Sequence, residues 1–118
     1  MAVLPLNSFR TITIPVTKTG QTFIYTCPVG VTAIILLVQI ANIGDDTAAV
    51  DFYHVHLTTK SLLVKGALIP ANDALNPLSG RLVIEEGDSI FVQGQVPEYG
   101  SGFQPMQVVV SLVESATS

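Results

Sequence analysis

The sequence predicts an all-β chain, a single-domain, jelly-roll-like β-sandwich of about eight antiparallel strands. Three observations carry that prediction. Apolar residues recur with period two almost throughout, the repeat of a strand with one face turned inward. Clusters of Pro, Gly, Asn and Asp interrupt these runs roughly every 12 residues, as turns between short strands do. No stretch keeps the 3.6-residue period of an amphipathic helix.

Taken in order, Ile12, Ile14 and Val16 alternate with Thr11, Thr13 and Pro15. This is a half-buried strand, and Pro15, which has no N–H to give to a ladder, assigns it to a sheet edge. Lys18-Thr19-Gly20-Gln21 turns the chain, and Thr22 to Cys27, β-branched and aromatic, forms a second strand closed by Pro28-Val29-Gly30. Val31 to Ala41 is the central strand. It is apolar at both parities, with Ala33, Ile35 and Leu37 on one face and Ile34, Leu36, Val38 and Ile40 on the other. A strand covered on one side would alternate, so this one requires cover on both. Its β-branched content and its flanking Gly30 and Gly44 argue against a helix.

Asn42 to Asp46 has the chemistry of a loop. Ala48 to Thr58 is the next strand, with Val50, Phe52, His54 and His56 at one parity and Asp51, Tyr53 and Val55 at the other. Thr59-Lys60 turns into a short strand, Ser61 to Leu68, followed by a long loop from Pro70 to Pro77. Arg81 to Glu85 and Ser89 to Gln95 flank Glu86-Gly87-Asp88, a hairpin signal. Val96 to Gln104, with its glycines and proline, is a mobile loop. Gln107 to Glu114 closes the fold with Val108, Val110 and Leu112 on one face. The domain spans 1–118, with an N-terminal arm at 1–8 and a frayed tail at 115–118.

The composition bears on function. Hydrophobic residues make up 48% of the 118-residue chain and charged residues 12%. Ordinary globular chains carry about 25% charged residues. A small domain has a large surface, and too few charges are present to cover it, so neighbouring subunits are expected to supply the rest. A dimer or trimer of the chain is the expected state.

The net charge is −4, and the five Lys plus Arg are dispersed along the chain. No basic cluster exists to neutralise a phosphate backbone, so nucleic acid is not an expected partner. Nor is a membrane: the longest apolar run falls short of the roughly 20 residues that a spanning helix needs. The N-terminus lacks a basic region and an apolar core of signal length, so synthesis in a cytoplasm is expected. Cys27, the sole cysteine, has no base or cation near it in sequence and reads as an inert, partly buried thiol.

Chemistry-bearing constellations are few. His54-x-His56 places two imidazoles on one face of a strand, about 7 Å apart, and such a pair supplies half a zinc ligand set. Asp51 points to the opposite face. Asp45-Asp46 and Glu85-Glu86-Gly87-Asp88 offer carboxylates in turns, without the alternating ligand spacing of an EF-hand loop. No complete ligand set is visible, so no metal or cofactor is expected and a chelator should leave the fold unchanged. There is no Gly-x-Ser-x-Gly, no glycine-rich phosphate loop and no base beside Cys27, so no catalytic residues are assigned and an enzyme is not expected.

Tyr25-Thr26-Cys27-Pro28-Val29-Gly30-Val31-Thr32-Ala33-Ile34-Ile35, followed later by Leu78-Ser79-Gly80-Arg81-Leu82-Val83-Ile84-Glu85-Glu86-Gly87-Asp88-Ser89-Ile90, resembles small all-β virion structural proteins of tailed bacteriophages. The resemblance covers about residues 10 to 114 and rests on turn chemistry. It implies a virion location and contact with another capsid or tail protein. The role implied is a capsid decoration (cement) protein or a neck, tail or fibre component; separately from the resemblance, Tyr99 and Phe103 leave a carbohydrate- or receptor-binding sandwich as the alternative. The partner contacts are expected on the two long loops, through Leu75, Tyr99 and Phe103, and next on the N-terminal arm, through Leu4 and Leu6.

Overall fold

The computed structural model describes residues 7–98 and 102–116. Among these the chain forms nine strands and no helix: β1 (Asn7–Val16), β2 (Gly20–Thr26), β3 (Val31–Asn42), β4 (Ala48–His56), β5 (Thr59–Ile69), β6 (Ala74–Leu75), β7 (Leu82–Ile84), β8 (Ser89–Gln95) and β9 (Met106–Ala116). All pairings are antiparallel. One sheet runs β1-β9-β3-β6, with β7 also paired to β3, and the other runs β2-β8-β4-β5. The order is nested: first strand with last, second with second-last, and β4 with β5 at the centre.

The two sheets face each other across one apolar core. Val16, Ala33, Ile35, Val38, Ile40, Val108, Val110 and Leu112 fill it from the first sheet, and Val50, Phe52, Ile90 and Val92 from the second. Most of these residues are β-branched, which suits a pleated, half-buried surface. As Pro15 predicts, β1 lies at an edge.

Several expectations are corrected. A bulge between Ile35 and Leu37 shifts the parity of β3, so Ala33, Ile35, Val38 and Ile40 point inward and Ile34, Leu36 and Leu37 outward. Glu85 to Asp88 is not a hairpin loop. It is a corner that carries the chain from β7 in the first sheet to β8 in the second. The β4–β5 hairpin turns at Leu57-Thr58, with His56 opposite Thr59, and Leu57 takes a φ of 57°. The Pro70–Pro77 loop contains β6, which pairs with β3 through Ile40–Leu75 and Ala41–Ala74. Asn7 and Ser8 begin β1, while Ser115 and Ala116 continue β9, so these four residues belong to strands.

Candidate assembly face and a histidine–carboxylate corner

The outward face of the first sheet follows from register. Antiparallel partners share a face, so Phe9, Val113, Ile34 and Val83 form one row across β1, β9, β3 and β7. Thr11, Ser111 and Leu37 form the next, and Thr13, Val109 and Gln39 the one after. The strand residues on this face carry no charge. Phe9 is 76% exposed, Val83 55%, and Leu36 and Leu37 38% each. Isolated exposed apolar residues are ordinary, whereas a contiguous uncharged face is a candidate interaction surface. The charged pair at this sheet's rim, Arg10 with Glu114 at 3.2 Å, lies on the inward parity.

The second sheet is covered differently. Phe23, Phe91 and Tyr53 make an outward aromatic ladder, with ring centroids 5.0 and 4.6 Å apart, and Lys60 Nζ lies 5.8 Å from the Phe91 centroid. A notch of about 530 Å³ lies at the Ala49–Gln95 end of this sheet, lined by Leu68, Gln95, Val96 and Pro97 among others.

At one end of the sandwich the β4–β8 register sets Val55 opposite Ser89, so its continuation places His56 opposite Asp88. The two side chains meet: His56 Nδ1 lies 2.8 and 2.9 Å from the two Asp88 carboxylate oxygens. His54, on the same face of β4, brings Nε2 to 3.5 Å from Asp88 Oδ2. The corner turn, closed by Asp88 N–H donating to the Glu85 carbonyl at 2.9 Å, returns Glu85 Oε2 to 3.6 Å from His56 Nδ1. Asp88 is 2% exposed and also accepts the Glu85 N–H at 3.3 Å. The Asp88 hydrogen bond and negative charge raise the His56 pKa. Burial alone would raise that of Asp88, but its hydrogen bonds to His56 and the Glu85 N–H, with the histidine charges, bring it below the usual carboxylate range. The corner is docked on the β2–β3 turn: Cys27 N–H donates to the Asp88 carbonyl at 2.8 Å, and Gly87 N–H to the Cys27 carbonyl at 2.9 Å.

The two sequence stretches that carry the virion resemblance therefore touch one another here. Cys27 itself is buried, donates to the Val31 carbonyl, and has its pKa raised by desolvation. That environment disfavours a thiolate. The sequence showed the histidine pair and the acidic turn separately. Their convergence depends on the β4–β8 register, which no residue pattern displays. Asp51, on the opposite face as expected, accepts from Gly66 N–H at 2.6 Å and from the Gln95 amide.

Of the expected partner contacts, Leu75 and Phe103 are half-buried against the core. The Phe103 ring sits so close to Gly94 that a Cβ there would fall 2.8 Å from it. Tyr99, Leu4 and Leu6 lie outside the described residues. Phe9, the most exposed aromatic of the outward row, was not among the expected contacts; its place opposite Val113 is its signal.

No protein-family model matches the chain, and no curated protein matches it in sequence. Solved structures share its fold. A chain of the acid-stable capsid structure of Helicobacter pylori bacteriophage KHP30 is similar over 98% of this chain and 92% of that one, at 11% identity and a TM-score of 0.57. A chain of the Bacillus endospore appendages, disulfide-linked pili, is similar over 100% of this chain and 98% of that one, at 10% identity and a TM-score of 0.51. At this identity the likeness is one of fold.

Proposed function

We propose that the chain is a non-enzymatic structural subunit of a virus particle, a jelly roll that assembles with copies of itself through the outward face of the β1-β9-β3-β7 sheet. The observation that carries this reading is the uncharged face itself, which leaves Phe9, Val83, Leu36 and Leu37 in water in the lone chain. Burying such a face yields roughly 25 cal/mol per Å² of apolar area, with no charge to desolvate. The nested strand order supports a jelly roll, an architecture used by viral capsid domains. The fold likeness to a phage capsid chain supports the same reading. Within the particle, the role we favour is a decoration protein that clamps capsid subunits. It is made in the host cytoplasm and located in the virion, with the described parts of the long loops, Leu75 and Phe103 included, offering further contacts. A disulfide-linked appendage fits less well, because Cys27 is buried and burial pushes its thiol pKa up.

Light scattering coupled to size exclusion tests the assembly. The isolated protein is expected to be a dimer or trimer at micromolar concentration. A Leu37→Glu, Val83→Glu double variant, altering only outward positions, is expected to keep the native circular dichroism and run as a monomer. A monomeric native chain, or a double variant that assembles as the native does, overturns this reading. The copy number per purified particle then separates a shell role from a neck or tail role.

A further inference from the structure

The corner at His54, His56, Glu85 and Asp88 is more than an ion pair. One donor atom each from His56, Glu85 and Asp88 lies within 4.8 Å of the others. His54 Nε2 is fully enclosed and has no hydrogen-bond partner among the described residues, yet it lies 3.5 Å from Asp88 Oδ2. An enclosed imidazole nitrogen without a partner bears the full desolvation cost of that atom. Asp88, almost wholly buried, has only His54 and His56 as ion-pair partners among the described residues; no Lys or Arg neutralises it. A proton shared with His56 satisfies one side of this carboxylate and leaves His54 unsatisfied.

We propose that these four side chains bind a divalent transition-metal ion of the zinc class. The donor set is two imidazole nitrogens and two carboxylate oxygens. Zinc binds such donors at about 2.0–2.2 Å in a tetrahedron, which sets ligand atoms about 3.3 Å apart. With Asp88 Oδ2 as the carboxylate ligand, the 3.5 Å separation from His54 Nε2 and the 3.6 Å one between His56 and Glu85 already approach that edge, and the 2.9 Å separation from His56 Nδ1 reaches it by opening a few tenths of an ångström. Calcium, which takes six to eight oxygens, does not suit a site with two nitrogens. The Glu85 N–H, donating to Asp88 Oδ2, is the supporting bond that fixes the carboxylate. An ion here joins the end of β4 to the corner between the sheets, and through Cys27 and Gly87 to the β2–β3 turn.

The test uses the full, tag-free chain, stripped with EDTA and dialysed, then titrated with zinc chloride by calorimetry and followed by thermal melting. One zinc per chain is expected, with a melting temperature that rises with zinc concentration. Cobalt chloride is expected to give the strong visible absorption of four-coordinate cobalt. His56→Gln, at an exposed position, is expected to keep the native circular dichroism. It should weaken zinc binding by at least the roughly 10–100-fold that loss of a supporting partner alone costs. Glu85→Gln, also exposed, is expected to weaken binding in the same direction. Failure of the stripped chain to take up stoichiometric zinc overturns the proposal. So does zinc uptake by both variants equal to that of the native chain.

Discussion

Tyr25 ties the sheets together through a single hydrogen bond. Its side chain points inward from β2, and its hydroxyl donates to Glu114 Oε2 on β9 at 2.6 Å. Burial, then this bond to a carboxylate, raises the phenol's pKa far above its ordinary value. An unfolded tyrosine ionises at about pH 10. The folded pKa is the higher one, so the stabilisation is fully present below about pH 10 and is lost as pH rises above it. Tyr25→Phe is expected to cost about 1.5–3 kcal/mol at neutral pH, the range for a hydrogen bond to a charged group. Between about pH 9 and about pH 11 the native melting temperature should fall more steeply than that of the variant. Parallel alkaline slopes would rule out this role for the phenol. At this scale the sequence is half legible. The His54-x-His56 pair and the buried character of Cys27 are visible in it, whereas Tyr25–Glu114 and His56–Asp88 are set by strand register across distant segments. Period-two patterns give a residue's face and not its opposite number.

Among the elements, the corner between β7 and β8 depends on one backbone conformation. Gly87 has a φ of 83°, and in that conformation its N–H donates to the Cys27 carbonyl at 2.9 Å. Nothing lies within 4 Å of a Cβ built there, so a substitution meets backbone strain and no clash. Gly87→Ala is expected to destabilise by about 1–2 kcal/mol, the cost of a left-handed residue with a Cβ, and Gly87→Asn by less. Urea denaturation with an unchanged m-value measures both; equal and negligible losses would show that the turn relaxes freely. The turn chemistry at Glu86-Gly87-Asp88 was legible, but its role as an inter-sheet corner was not. A tight turn has the same residues whether its strands pair with each other or part to different sheets. The bulge at Leu36 misled in another way. One extra residue reverses parity halfway along β3, so two correctly one-sided halves look like a strand apolar on both faces. Even so, Ile34, Leu36 and Leu37 do face outward, and the expectation of outside cover rests on them.

Over the whole molecule, charge is segregated. Apart from Arg10 and Glu114, on the inward parity of the first sheet, the acids and bases of the described residues lie in turns, on the second sheet and at the sandwich ends, and the outward strand positions of the first sheet carry none. The low charge count in the sequence pointed to apolar surface left uncovered in the lone chain, and the uncharged face is where that surface lies. The location of the face was not legible, because it needed the nested order that brings β1, β9, β3 and β7 side by side. That location has a consequence for how association responds to salt. The screening length falls from about 30 Å at 0.01 M to about 3 Å at 1 M ionic strength. Contacts between charged groups weaken over that range, whereas burial of apolar surface does not, and sulfate strengthens it. Self-association through Phe9, Ile34, Leu37 and Val83 is therefore expected to persist from about 0.01 M to about 1 M sodium chloride, and to tighten when sodium sulfate replaces the chloride. It should also loosen on cooling, since apolar burial loses strength at low temperature. Sedimentation equilibrium in these buffers reads the association constant directly. Dissociation at high salt would transfer the contact to charged segments such as Asp45-Asp46 or the Lys60 hairpin, and the uncharged sheet would then have to face some other partner.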